Sequence, residues 1–209
     1  MARVSQEHLD ARRRQILEGA GICFARNGFH ATSMQDVLKE VDLSAGAVYR
    51  YFSGKDELIG AIVADVLENV LGLYEGAAKE EHPPTPDVLL PQIVTRLKEL
   101  PVGLMVNGEW MFPRLMLQVW SEMLRNEELR MVIQPGILRI RAAWETIVGR
   151  YKSGGLMPAD ADADAMARVM LSVVQGFAAH NALFGDVSEE TLRDGLRALM
   201  SIERSDTPT

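Results

Sequence analysis

The stretch Ser33 to Leu58, SMQDVLKEVDLSAGAVYRYFSGKDEL, constrains this chain more than any other. It reads as two short helices around a tight turn, followed by the start of a longer helix. Ser33 can cap the first helix by accepting from a first-turn amide that has no helical partner. Val37, Leu38 and Val41 then recur at helical spacing and make one apolar face. Asp42 and Leu43 fall in the turn. Ser44 caps the next helix, with Val48 and Phe52 four apart on its inner side. Ser53 and Gly54 end it, and Lys55 opens a third helix whose first turn carries Asp56 and Glu57, where negative charge is favoured.

Two caps eleven residues apart fit a helix-turn-helix, although a plain helical hairpin can carry the same pattern. The outer face separates the two. Ala45, Gly46 and Ala47 leave the second helix almost bare, so it can approach another surface closely. Tyr49, Arg50 and Tyr51 stand beyond it with Lys55 nearby, all side chains of the kind that meet phosphates and base edges.

These residues resemble the DNA-binding segment of the TetR family of bacterial transcriptional regulators. AGAVYRYFSGKDEL is similar to the family's second helix-turn-helix helix and its junction. FARNGFHATSMQDV, Phe24 to Val37, is similar to the end of the first helix and the entry to the second. The resemblance covers about residues 12–58; beyond it, only helical texture matches. It implies an all-α protein with a three-helix DNA-binding domain over 1–55 and a helical ligand-binding and dimerisation domain over 56–209. The resemblance further implies that Thr32, Ser33 and Gln35 hold phosphates at a helix start. Ser44, Ala45, Gly46 and Ala47 would lie against bases, Tyr49, Tyr51 and Lys55 would bind backbone, and Arg50 would reach either. Many relatives carry a polar group at 45 or 47. Alanine offers only a methyl contact, so base readout here would lean on Arg50, Gln35 and DNA shape.

The overall charge of −7 at first opposes DNA binding, but its distribution does not. Residues 1–55 carry a net +2 and residues 56–209 a net −9. A basic end can face phosphates while the acidic bulk discourages non-specific binding. Arg12, Arg13 and Arg14 at the start of the first helix are either a solvated face or further phosphate contacts. The only cysteine, Cys23, cannot form an internal disulfide and falls on the inner face of the first helix, which suits a cytoplasmic setting. No apolar run of about 18 residues is present, and none of the four histidines stands at zinc-site spacing. There is no phosphate-binding loop, nucleotide fingerprint or nucleophile elbow, so neither catalytic residues, a metal nor a cofactor is expected.

The rest of the chain reads as helix. The spacing predicts a helix from about Leu9 to Asn27 after a frayed end at 1–8, then a rod from Lys55 to about Lys79. Further helices are expected over 87–100 (stopping at Pro101), 109–124, 127–151 with a kink at Pro135-Gly136, 160–184, and Ser188 to about Ile202, before a loose tail. No strand pattern is evident. The methionine- and aromatic-rich segment 102–123 suits either a filled core or an adaptable apolar pocket. The resemblance favours a small-molecule effector site. Met105, Trp110, Met111, Leu115, Met116, Trp120 and Met123 are its candidates, with Phe177 and His180 from a later helix. The helix over 165–184 is apolar on more than one face and needs cover. The resemblance points to a homodimer through helices 127–152 and 162–184, reading a palindromic operator. The alternative is a DNA-binding dimer controlled by a protein partner, or one without a small ligand.

Overall fold

A computed structural model describes residues 6–100 and 104–201. The expected break at Pro101, the outermost ends and Ile202 lie outside the described residues. Helix α1, Gln6–Asn27, begins three residues earlier than its apolar stripe suggests, because its first turns are polar and exposed. Ile16, Leu17, Ala20, Cys23 and Phe24 form its buried face. Helix α2, Met34–Val41, crosses it closely. A Cβ built on Gly19 would come within 2.4 Å of Val41 Cγ1, so this crossing requires glycine. Helix α3, Ala45–Tyr49, completes the N-terminal unit, with Val48 and Phe52 both buried beneath it.

Helix α4, Lys55–Lys79, spans about 37 Å at 1.5 Å per residue. Leu58, Ile59, Ile62 and Val63 pack its first half on the N-terminal unit. Its second half, with Leu71 and Tyr74 buried, lies against helix α7, Glu127–Ser153. Their approach is close at Gly136, where an added Cβ would meet Leu67 Cδ1 at 2.7 Å. α7 stays helical through Pro135. That proline lacks an amide, so only the carbonyl of exposed Met131 loses a helical partner, and solvent can serve it.

Helix α5, Pro86–Glu99, and helix α9, Glu189–Met200, form a second layer joined by two ion pairs. Arg197 Nε reaches buried Asp87 at 3.2 Å, and Lys98 Nζ reaches Glu189 at 2.6 Å. Helix α8, Ala163–Phe184, is capped by Asp162, whose carboxylate accepts from the amides of Asp164 and Ala165. It packs on α7 and on helix α6, Phe112–Met123. One hydrophobic core runs from Ile16 in α1 to Leu196 in α9.

One expectation is overturned outright. Strands β1, Met105–Val106, and β2, Glu109–Trp110, pair as an antiparallel hairpin, which shortens α6 to 112–123. Two-residue strands are too short to display an alternating pattern. The readable signal is the turn: Asn107 and Gly108 both take positive φ, 51° and 82°, as an Asn-Gly hairpin turn demands.

Candidate functional site

The N-terminal face is built from two capped helices. At Ser33 the cap is reciprocal. Its hydroxyl oxygen accepts from the Asp36 amide at 3.2 Å, while an Asp36 carboxylate oxygen accepts from the Ser33 amide at 2.8 Å and its hydroxyl at 2.6 Å. Those bonds hold the Asp36 carboxyl below its ordinary value, the hydroxyl bond contributing most. Asp42 ends α2 in the left-handed region at φ 51°. Ser44 then caps α3 through the Ala47 amide at 3.3 Å.

With Val48 anchoring α3 from below, Ala45 and Gly46 are exposed and Ala47 is half-exposed. A Cβ on Gly46 would meet nothing within 4 Å. Tyr49 is 49% exposed and Arg50 is exposed beside it, while Tyr51 is half-buried against the core. Gln35 is exposed on the first turn of α2. Most of the sequence-predicted residues are thus open to solvent at least in part; two bond inside the protein instead.

Thr32 is 1% exposed, and its hydroxyl donates to the carbonyls of Cys23 and Gly28 at 3.1 and 2.8 Å. Its side chain ties the corner between α1 and α2, which differs from the expected phosphate contact. Lys55 also turns inward: Nζ donates to the Phe29 carbonyl at 2.9 Å and lies 4.8 Å from the Phe29 ring centroid. Among the arginines of α1, Arg13 binds Asp65 of α4 at 3.1 Å, whereas Arg12 shares a groove with Arg50 and Tyr51. Cys23 is buried as expected, and burial, with Glu40 adding, pushes its thiol up to about 11, so it stays protonated.

This face meets the rest of the molecule through α6. His30 Nε2 lies 2.9 Å from buried Glu122, and Asn126 donates to Asp56 at 3.2 Å. Leu104 closes on Gly21, where an added Cβ would sit 3.0 Å from Leu104 Cδ2.

The second half holds a small apolar cavity of about 120 Å³ between α4, α5, α6, α7, α8 and β2. Of the candidate effector residues, Trp110, Met116, Trp120 and Phe177 line it. The other candidates do not. Leu115 and Met111 are buried in packing elsewhere, and Met123 is half-buried outside the lining. Met105 is 49% exposed on β1, where the hairpin turns it outward. His180 faces outward, 2.9 Å from Asp186 and against the Phe184 ring. Missing from the expectation were Val66, Val70 and Tyr74 of the rod, Ile93 and Leu97 of α5, Ile137 and Ile140 of α7, and Leu171, Val174 and Gln175 of α8. The 66-70-74 spacing marked a buried face of α4, but nothing in sequence told which space it bordered. Among the described residues, no three His, Cys, Asp or Glu side chains gather as a metal-ligand set, and no helix is long and apolar enough to cross a membrane.

Comparison with known proteins agrees with this architecture. Residues 16–62 match the sequence-family model "Bacterial regulatory proteins, tetR family", and residues 111–201 match "BetI-type transcriptional repressor, C-terminal". The HTH-type transcriptional regulator YfiR of Bacillus subtilis is 33% identical over 135 residues, 63% of this chain and 61% of that relative. The chain thus spans less than two thirds of that relative's length. The regulator UidR of Escherichia coli K12 is 24% identical over 90% of both chains. Among solved structures, Salmonella enterica GusR superposes with a TM-score of 0.69 at 26% identity, covering 96% of this chain and all of GusR. The fatty acid degradation regulator FadR of Bacillus halodurans shares the fold, with a TM-score of 0.73 at 14% identity and coverage of 90% and 94%. With the capped helix pair, the bare face of α3 and the rod to a second helical layer, these matches give one conclusion: the chain belongs to the TetR family of bacterial transcriptional regulators.

Proposed function

We propose that this protein is a dimeric, cytoplasmic repressor that binds a palindromic DNA operator and is released from it by a small, largely apolar molecule. The observation that carries the DNA half is the exposed first turn of α3, bare at Ala45 and Gly46 and flanked by Tyr49, Arg50 and Arg12. Such a helix can enter a major groove while Ser33, Gln35 and the free amides of α2 meet phosphates. In this reading Thr32 positions the α2 amides from inside, and Lys55 adds positive potential near the Phe29 corner.

Release follows from linkage. A ligand that favours a DNA-incompetent arrangement lowers operator affinity by its differential binding energy, and operator lowers ligand affinity by the same factor. The rod α4 borders the cavity at Val66, Val70 and Tyr74 and packs under the DNA face at its start, which suits it to carry the change. A second reading, a DNA-binding dimer without a small ligand, draws on cavity size. At about 120 Å³ the space is below the roughly 300–1,000 Å³ usual for ligand pockets.

Selection of bound genomic fragments, followed by anisotropy titration across salt, tests the DNA half. A palindrome bound with steep salt dependence is the expected result; salt-independent or absent binding refutes it. Calorimetry of ligands with and without operator tests the switch. Equal ligand affinities in the two titrations defeat it.

A further inference from the structure

Among the described residues only three polar or charged residues are buried, and each ties separate parts of the fold together. Thr32 closes the α1–α2 corner, and Asp87 docks α9 on α5. The third, Glu122, lies in the last turn of α6 and is 5% exposed. Its Oε2 is 2.9 Å from His30 Nε2 and 3.2 Å from Arg125 Nε. A carboxylate withdrawn from water needs partners of this kind, because burying it unpaired is expensive. Arg125 is a neighbour in sequence, but His30 belongs to the DNA-binding unit.

The corner that carries His30 is braced from within. Gly28 turns it with a φ of +85°, Thr32 bonds the carbonyls of Cys23 and Gly28, and Lys55 bonds that of Phe29. Three residues after His30, Ser33 caps α2, whose first-turn amides are the phosphate contacts proposed above. A corner braced this way has little internal freedom, so a grip on it is a grip on the start of α2. That grip comes from α6 and its flanks. Leu104 packs on Gly21, Gln118 lies over Gly28, Glu122 meets His30, and Asn126 donates to Asp56. Gln118 and Glu122 are four apart on one side of α6. Met116 and Trp120, which line the cavity, are four apart on nearly the opposite side.

We infer that Glu122 is a positioning residue for operator binding. By holding His30 from the second half of the molecule, it fixes the angle at which α2 and α3 are presented, and hence the separation of the two reading helices in a dimer. This rests on the dimeric DNA-binding reading above. It adds to the rod α4 a second tie between the DNA face and a helix that borders the cavity.

Anisotropy titration of the full-length protein tests it with two probes: the palindrome recovered by genomic selection, and a duplex holding one half-site. His30 has a side chain 59% exposed, so His30→Ala removes the contact without opening the core. It is expected to weaken binding to the palindrome about three- to ten-fold, the scale of one hydrogen bond, and to leave the half-site unchanged. His30→Gln keeps an N–H at similar reach and is expected to restore most of that loss. Glu122→Gln is expected to weaken the palindrome to a similar degree, after which adding His30→Ala costs nothing further. Unchanged half-site affinity also shows that each variant is folded.

Equal losses on palindrome and half-site would mean that His30 touches DNA itself, and additive losses in the double variant would mean that the two residues act separately. Either result overturns the inference and leaves the DNA-binding reading standing. Palindrome affinity that His30→Ala leaves unchanged or tightens overturns it as well. If the unaltered protein binds no palindrome, the inference falls together with that reading.

Discussion

Thr32 and Ser33 are adjacent hydroxyl residues at the start of α2, yet they face opposite ways. Ser33 is exposed and bonds with Asp36; Thr32 is buried and holds two carbonyls of the α1 terminus. Side-chain chemistry alone could not separate them, because either hydroxyl suits a cap or a phosphate. What separates them is which residue the chain turns inward after Gly28, whose φ of +85° sets the corner. Thr32→Val should therefore cost about 1 kcal/mol by removing the hydroxyl's bond to the buried Cys23 carbonyl, while the Gly28 carbonyl keeps the Thr32 amide at 3.2 Å; the loss is read as a lowered denaturation midpoint. Tyr49 and Arg50 stand on the exposed side and should behave in the opposite manner. Tyr49→Ala should leave the melting temperature nearly unchanged and weaken all operator variants alike, whereas Arg50→Ala should change preference at one base position, worth about 1–3 kcal/mol there. Gel-shift titration against a library of single-base operator variants distinguishes the two patterns. Identical profiles for both variants would mean that Arg50 does not read a base.

At the scale of elements, helices were legible wherever a cap and an apolar period coincided. Ser33, Ser44 and Ser188 each cap the helix that follows, and the rod runs from Lys55 to Lys79 as its spacing implied. The hairpin was not legible, because its signal was confined to Asn107-Gly108. Nor was the cavity lining, since it is assembled from five helices and β2, whose mutual placement no local pattern encodes. The docking of α9 on α5 also depends on a distant pair, Asp87 and Arg197. Burial opposes ionisation of Asp87, but the hydrogen bonds from Thr85 and Arg197 outweigh it and hold the carboxyl below its ordinary value. A depressed folded value means that the stabilisation is present in full above the unfolded carboxylate range and is lost as pH falls through the folded value. Asp36 and Glu57, held low by their bonds to Ser33 and to Ser53, act in the same direction. Melting temperature should accordingly fall as pH drops below about 4. Asp87→Ala should cost about 2 kcal/mol at neutral pH and flatten that dependence, because the neutral residue has nothing left to titrate. Parallel thermal melts from pH 7 to 3 check both; an unchanged slope in the variant would place the acid sensitivity elsewhere.

At the scale of the whole molecule, the unanswered surface lies on α7 and α8. Met131, Val132 and Leu138 on α7 are 61%, 54% and 49% exposed, and Val169, Leu183 and Phe184 on α8 are 52%, 66% and 67% exposed. Isolated apolar side chains on a surface are ordinary, but these stand on two helices packed on each other, and α8 also carries Gly176 and Ala179, small residues that permit close helix approach. Two copies joined there by a two-fold axis would form a four-helix bundle and set two α3 helices at a fixed separation. That spacing would convert weak single-site contacts into operator affinity, because the second half-site would bind intramolecularly. Val169→Glu combined with Leu138→Glu should therefore yield a folded monomer by sedimentation. It should weaken binding to the full palindrome on the order of 10²–10⁴-fold, with little change for an isolated half-site. The paired measurement matters, because misfolding would damage both affinities while loss of the dimer damages only one. Full-site affinity that survives in a demonstrably monomeric variant would show that each subunit reads DNA alone, and the charge separation between the +2 end and the −9 remainder would then have to supply affinity without geometric help from a second copy.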